Sequence, residues 1–292
     1  MNINMVYPPR PERRGRVIAL HCSGGGASQW SYLAEALGGR YELIAPEHYG
    51  SESAGPWPGE RAFALSDEAA RTIALIDSSE AAVHLVGHSY GGGVALQVAL
   101  ARPHRIASMA LYEPSAFHLL PRLGEPGRAA FAEINGVAAH MGRCVIAGNY
   151  REAVAVFVDY WNGAGSWDAL RPAVQSALIR WTPKGPMDFR ALMNDPTLPT
   201  AYRELDFPVL ILRGEHAPAP TRIVADGLST LLRNNQVVTI EGAGHMGPLT
   251  HAPEVAALMV RHFVRAGNDT APVWKRHRSV GHGTAPGIAR AS

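Results

Sequence analysis

Cysteine is scarce in this chain. Cys22 and Cys144 are its two cysteines among 292 residues, and neither belongs to a CxxC pair. A disulfide framework and a structural zinc centre of the usual spacing are therefore not expected. Long apolar runs are also lacking: none reaches the ~18 residues that a membrane span needs. The opening segment, Met1 to Arg16, is rich in Pro and Arg and has no apolar centre, so it does not read as a secretory signal. An excess of one charge is missing too. The formal net charge is +2, and charged residues make up 18% of the chain. Neither nucleic acid nor a membrane is expected as a partner. What remains is a cytoplasmic protein with reduced thiols, acting on a small molecule.

The hydrophobic residues that are present, 47% of the chain, fall into a regular rhythm. Short apolar runs at Val17–His21, Tyr41–Ala45, Val83–Val86, Ile106–Tyr112, Val209–Leu212 and Val237–Ile240 read as strands. Each run is continuous rather than alternating, as for strands covered on both faces. Helical patterns lie between them at Trp30–Leu37, Ser66–Ile76, Gly91–Ala101, Thr221–Leu232 and Pro253–Val264. The fold class is α/β, with a mostly parallel sheet flanked by helices. Few residues precede the first run, so any N-terminal hairpin is short or absent.

The rhythm stops after Tyr112 and resumes at Phe207. The stretch between is aromatic-rich, and its segments Tyr150–Trp161 and Trp167–Ile179 carry helical spacing. It is too long for a loop and reads as an inserted helical lid. The expected organisation is residues 1–116 and 206–266 as one core, 117–205 as the lid, and 267–292 as a disordered tail. The basic run Lys275–Arg278 in that tail reads as solvated charge.

Three glycine-rich turns carry the chemistry. Gly87-His88-Ser89-Tyr90-Gly91 follows one strand and opens a helix. Glycines two before and two after Ser89 allow a sharp turn that leaves the hydroxyl exposed. His21-Cys22-Ser23-Gly24-Gly25-Gly26 ends the first strand. Its Ser23 N–H, with the Tyr90 N–H, would form an oxyanion hole. Gly242-Ala243-Gly244-His245 follows the last strand, and His245 supplies the base that a serine nucleophile requires. His21, Cys22, His88 and Met246 are candidates for contact with substrate. No metal or cofactor is called for.

These turns, with Pro46-Glu47 and Gly50 after the second strand, resemble the α/β-hydrolase family, and within it lid-bearing bacterial serine esterases. The resemblance covers residues 16–116 and 205–266. It implies the α/β-hydrolase fold, with Ser89 as nucleophile and His245 as base. The sequence departs from the family at the acid. The loop after the penultimate strand reads Arg213-Gly214-Glu215-His216-Ala217, with Ala217 where the family commonly has aspartate. Two replacements are visible. Glu113 follows the strand Ile106–Tyr112, a position from which some family members supply the acid, and it is the first choice. Glu215 is the alternative, and a dyad without an acid is the third arrangement. The expected reaction is hydrolysis of a small or medium carboxylic ester or lactone. Carbon–carbon and amide bonds remain open to the same residues, and so does a non-catalytic ligand receptor on this fold.

Overall fold

The computed structural model describes residues 5–6 and 15–269. Seven strands form one sheet in the order β1-β3-β2-β4-β5-β6-β7. They are β1 (Met5–Val6), β2 (Gly15–Leu20), β3 (Tyr41–Ala45), β4 (Val83–His88), β5 (Ile106–Tyr112), β6 (Val209–Gly214) and β7 (Asn235–Ile240). Strand β1 pairs antiparallel with β3, and every other pairing is parallel. The expected short hairpin is thus a two-residue edge strand.

Side chains of one strand alternate between two apolar layers. Leu85 and Leu111 belong to one buried cluster; their neighbours Val86, Ala110 and Tyr112 belong to the other. Burial on both faces explains why the runs are continuous instead of alternating. The exception is β7, expected to be doubly buried: Val237 and Val238 are half-buried and Thr239 is exposed. It is one of the sheet's two edge strands among the described residues and has a single strand neighbour.

Helices α1 (Ser31–Leu37), α2 (Leu65–Asp77) and α3 (Tyr90–Ala101) connect the early strands. Between β5 and β6 come α4 (Gly124–Ile146), α5 (Tyr150–Asn162), α6 (Ser166–Ala169), α7 (Pro172–Trp181) and α8 (Gly185–Met193). The helical reading of Trp167–Ile179 divides here into two helices. Arg171 takes an extended conformation, φ −59° and ψ 142°, as the residue before a proline is driven to do, and Pro172 then starts α7. The 23 residues of α4 were not singled out by the apolar spacing. After β6 follow α9 (Ala219–Leu231), α10 (Gly247–Thr250) and α11 (Ala252–Asp269). The last helix runs three residues into the segment expected to be a disordered tail. From residue 270 that expectation, with the basic run Lys275–Arg278, lies outside the described residues. No helix among the described residues is long and apolar enough to cross a membrane.

Candidate active site

Ser89 sits alone between the end of β4 and the start of α3, at φ 54° and ψ −117°. A β-carbon on Gly91 would lie 2.3 Å from the Leu20 carbonyl, and one on Gly87 would lie 2.5 Å from the Gly91 carbonyl. No other residue type fits at either place, so these two glycines make the turn possible. The Ser89 backbone is clamped from several sides. Its N–H donates to the Tyr112 carbonyl at 3.0 Å, and its carbonyl accepts from the N–H of Ser115 at 3.0 Å and of Gly92 at 2.9 Å. Such contacts hold a backbone strain of ~1–3 kcal/mol in place.

The His245 ring bridges two strand ends. Its Nε2 lies 2.9 Å from Ser89 Oγ, and its Nδ1 lies 2.6 Å from Glu113 Oε2. Glu113 is fully buried and, like Ser89, has a positive φ, here 43°. Its carboxylate also accepts from the Gly214 N–H and from Thr221 Oγ1, each at 2.8 Å. A buried carboxylate is tolerated when its lone pairs are satisfied in this way. Glu215, the alternative acid, is exposed and accepts from the Gly242 N–H at 2.9 Å. It joins two loops and has no bond to the His245 ring. Ala217 is buried in the same loop, and its N–H turns back to the Gly214 carbonyl.

A cavity opens over Ser89, lined by Ser23, Tyr90, Ser115, Trp161, Trp181 and Asp188 among others. About 10 Å³ of it is open to the centre of a water molecule, room for roughly one water. Its roof is aromatic, with Phe157 and Trp161 from α5, Trp181 from α7 and Phe189 from α8. Trp161 stacks on His245, with ring centroids 4.1 Å apart. Trp181 also walls a larger outer groove of about 400 Å³ between residues 50–57 and 180–187. Ser23 and Tyr90, the expected oxyanion donors, both line the inner cavity beside Ser89.

The four residues expected to contact substrate do not line that cavity. His88 is fully buried behind His245; its Nε2 is bonded to the His245 carbonyl at 2.9 Å, and burial pushes its pKa well down, so it is a neutral prop. His21 bonds through Nδ1 to the Cys22 carbonyl at 2.8 Å, and its Nε2 accepts from the His48 N–H. Cys22 lines a small adjoining pocket with His21, His48 and Tyr49, which shares Ser23, Tyr90, Trp181 and Asp188 with the cavity over Ser89, and burial raises its thiol to about 12. Met246 is half-buried, and its carbonyl starts the α10 turn. All four lie beside candidate site residues in sequence, yet none of them lines the cavity over Ser89.

Sequence reasoning missed a buried charged cluster next to the site. Lys184 ion-pairs with Asp188, one helical turn on, and lies 3.4 Å from Glu68 of α2. All three are at most 4% exposed. Glu68 Oε2 accepts from Tyr90 Oη at 2.9 Å, and Asp188 Oδ2 accepts from Ser23 Oγ at 3.0 Å. The cluster therefore braces both residues that flank Ser89. Burial raises the Asp188 carboxyl against the pull of Lys184. At Glu68 burial acts in the same sense, but His48 and Lys184 outweigh it and hold the carboxyl at about 2. The four-residue spacing of Lys184 and Asp188 is a helical ion-pair signal. Glu68, the second partner of Lys184, lies more than a hundred residues earlier, beyond any local pattern.

The model of the alpha/beta hydrolase family matches residues 17–258. The chain belongs to the alpha/beta hydrolase family. Among alpha/beta hydrolases of known structure it resembles one from Sphaerobacter thermophilus, at TM-score 0.65 and 21% identity, over 89% of this chain and 100% of that one. It also resembles the alpha/beta hydrolase MGS-M2 from a deep-sea metagenome library, at TM-score 0.74 and 15% identity, over 89% and 93% of the two chains. By sequence it is 28% identical over 260 residues to a 2-(acetamidomethylene)succinate hydrolase of Mesorhizobium japonicum, covering 86% of this chain and 88% of that protein. A shorter match, 32% over 114 residues, is to RutD of Klebsiella pneumoniae, named for carbamate hydrolysis. It covers 38% of this chain and 41% of that protein.

Proposed function

We propose that this alpha/beta hydrolase cleaves a carboxylic ester or lactone with a small acyl group, through an acyl-enzyme on Ser89. The supporting observation is the unbroken hydrogen-bond chain from Ser89 through His245 to Glu113, lying under an aromatic cavity. His245 takes the Ser89 proton through Nε2 as Oγ attacks the carbonyl carbon. Glu113 fixes the Nδ1–H tautomer and stabilises the cation that forms. The N–H groups of Ser23 and Tyr90 hold the oxyanion. His245 then protonates the departing oxygen, and a water activated by the same ring releases the acid.

Residues 117–205 act in this reading as a lid. Its aromatic side chains exclude water and limit the acyl group, while the groove beyond Trp181 receives the leaving group. A second reading, hydrolysis of an amide-type bond, is favoured by the relative that spans most of the chain, whose name contains an acetamido group.

Intact mass after fluorophosphonate treatment tests the nucleophile. One adduct on the wild type and none on Ser89→Ala is the expected result. A folded wild type that takes no adduct would favour a non-catalytic receptor instead. Turnover of p-nitrophenyl acetate, small lactones and N-acetyl compounds then separates the two bond types.

A further inference from the structure

We propose that His140, Cys144 and Glu152 form a binding site for a borderline-soft divalent cation of the Zn²⁺ class, on the outer side of the helices that roof the active site. His140 and Cys144 stand four residues apart on α4, so both point from one face. Glu152 reaches them from the first turn of α5. One ligand atom from each residue lies within 4.8 Å of the other two.

The distances fit a single tetrahedral ion. His140 Nε2 is 3.5 Å from Cys144 Sγ and 3.7 Å from Glu152 Oε1. Bonds of ~2.3 Å to sulfur and ~2.0–2.1 Å to nitrogen and oxygen, at the tetrahedral angle, put those pairs about 3.6 and 3.4 Å apart. One thiolate, one imidazole and one carboxylate suit zinc better than calcium or magnesium, which take oxygen ligands. Three protein ligands leave a fourth position for water, and the partial exposure of His140 and Glu152, 34% and 57%, opens the site to solvent. The scarcity of cysteine had argued against a structural zinc centre because that expectation looked for CxxC. The donors here come instead from helix spacing across a turn.

The site spans the connection of α4 to α5, whose intervening residues are 147–149. An ion bound there would tie the end of one helix to the start of the next. Helix α5 also carries Phe157 and Trp161 to the cavity over Ser89. The inference does not depend on the proposed reaction.

Titration of the full chain with Co²⁺ tests the site directly. A near-ultraviolet thiolate-to-metal band, intense visible bands of tetrahedral cobalt, a stoichiometry of one and displacement by Zn²⁺ are expected. Cys144→Ser should abolish the thiolate band. His140→Ala, at a partly exposed position, keeps the fold by circular dichroism and should weaken Co²⁺ binding by more than ~10-fold, as should Glu152→Gln. Ser89→Ala should bind as the wild type does, which separates this site from the proposed chemistry. The proposal is overturned if the wild type shows no thiolate band. It is equally overturned if the band persists in Cys144→Ser, which would assign it to Cys22, or if His140→Ala and Glu152→Gln leave affinity unchanged.

Discussion

Trp161 lies almost flat against His245, with ring planes 28° apart and centroids 4.1 Å apart. A histidine that accepts a proton during the reaction becomes cationic, and the face of an indole attracts a cation. The contact therefore strengthens as the transition state forms. Trp161→Ala should lower kcat for a small ester up to about tenfold, since such aromatic pairs are worth ~0.5–1.5 kcal/mol. Trp161→Phe should retain most of the rate. Steady-state kinetics check this; an unchanged kcat in Trp161→Ala would show that the stack only packs the roof.

The two candidate acids separate cleanly by substitution. Glu113→Gln leaves the shape intact but places an amide opposite Nδ1. A loss in kcat approaching ~10⁴-fold is expected, by analogy with the same change at a protease triad. Glu215→Gln affects an exposed loop contact and should change kcat by less than about threefold, within the usual small effect of surface substitutions. The opposite ranking would assign the acid to Glu215.

Lys184 is the cation that balances Glu68 and Asp188. Lys184→Met fits the volume but leaves two buried carboxylates facing each other. Breaking a buried pair in this way costs ~3–5 kcal/mol. A large fall in the urea midpoint is expected, and Lys184→Met/Asp188→Asn should recover part of it. Equal midpoints for the single variant and the wild type would show that the cluster contributes nothing to stability.

Acid should destabilise the fold before it protonates many carboxylates. Burial pushes His48 and His84 each down to about 4, and it pushes His88 well below the usual histidine range. A histidine kept neutral in the fold stabilises fully above its unfolded pKa. That contribution is lost as pH falls from ~6.5 towards the folded value, where the unfolded chain alone binds the proton. Each of the first two can cost up to ~3 kcal/mol by pH 4. The Tm should fall steeply between pH 6.5 and 4.5, and His84→Asn, far from Ser89 on β4, should flatten that slope. A Tm constant over this range would refute the linkage.

Much of this fold was legible because burial on two faces writes continuous apolar runs. All six runs became strands within two residues at either end, and Tyr41–Ala45 and Ile106–Tyr112 matched to the residue. The edge strand β7 was read as doubly buried because its valines look like those of a central strand. Ser89 and His245 were legible because their turns need glycines at fixed offsets. Glu113 was visible as a candidate only because the usual place held Ala217. No local pattern could show that Thr221 and the Gly214 N–H would complete its hydrogen bonding. The Glu68–Lys184–Asp188 cluster was hidden for the same reason: its members meet only after the helices between β5 and β6 fold back across the sheet.

Placing the proposed acid directly after β5 has a mechanical result. Ser89 and Glu113 hang from neighbouring strands, and their backbones are stitched together: Ser89 to Tyr112, Ser115 to Ser89, and Glu113 to Leu212. Ser89 and Glu113 thus belong to one backbone-bonded piece, whereas His245, on the loop beyond β7, is held to it through side chains, Tyr112 Oη donating to the Gly244 carbonyl and His88 Nε2 to the His245 carbonyl. Amide hydrogen exchange would register that division, with the Ser89, Glu113 and Ser115 amides released only in global unfolding and the 241–247 loop opening well before them.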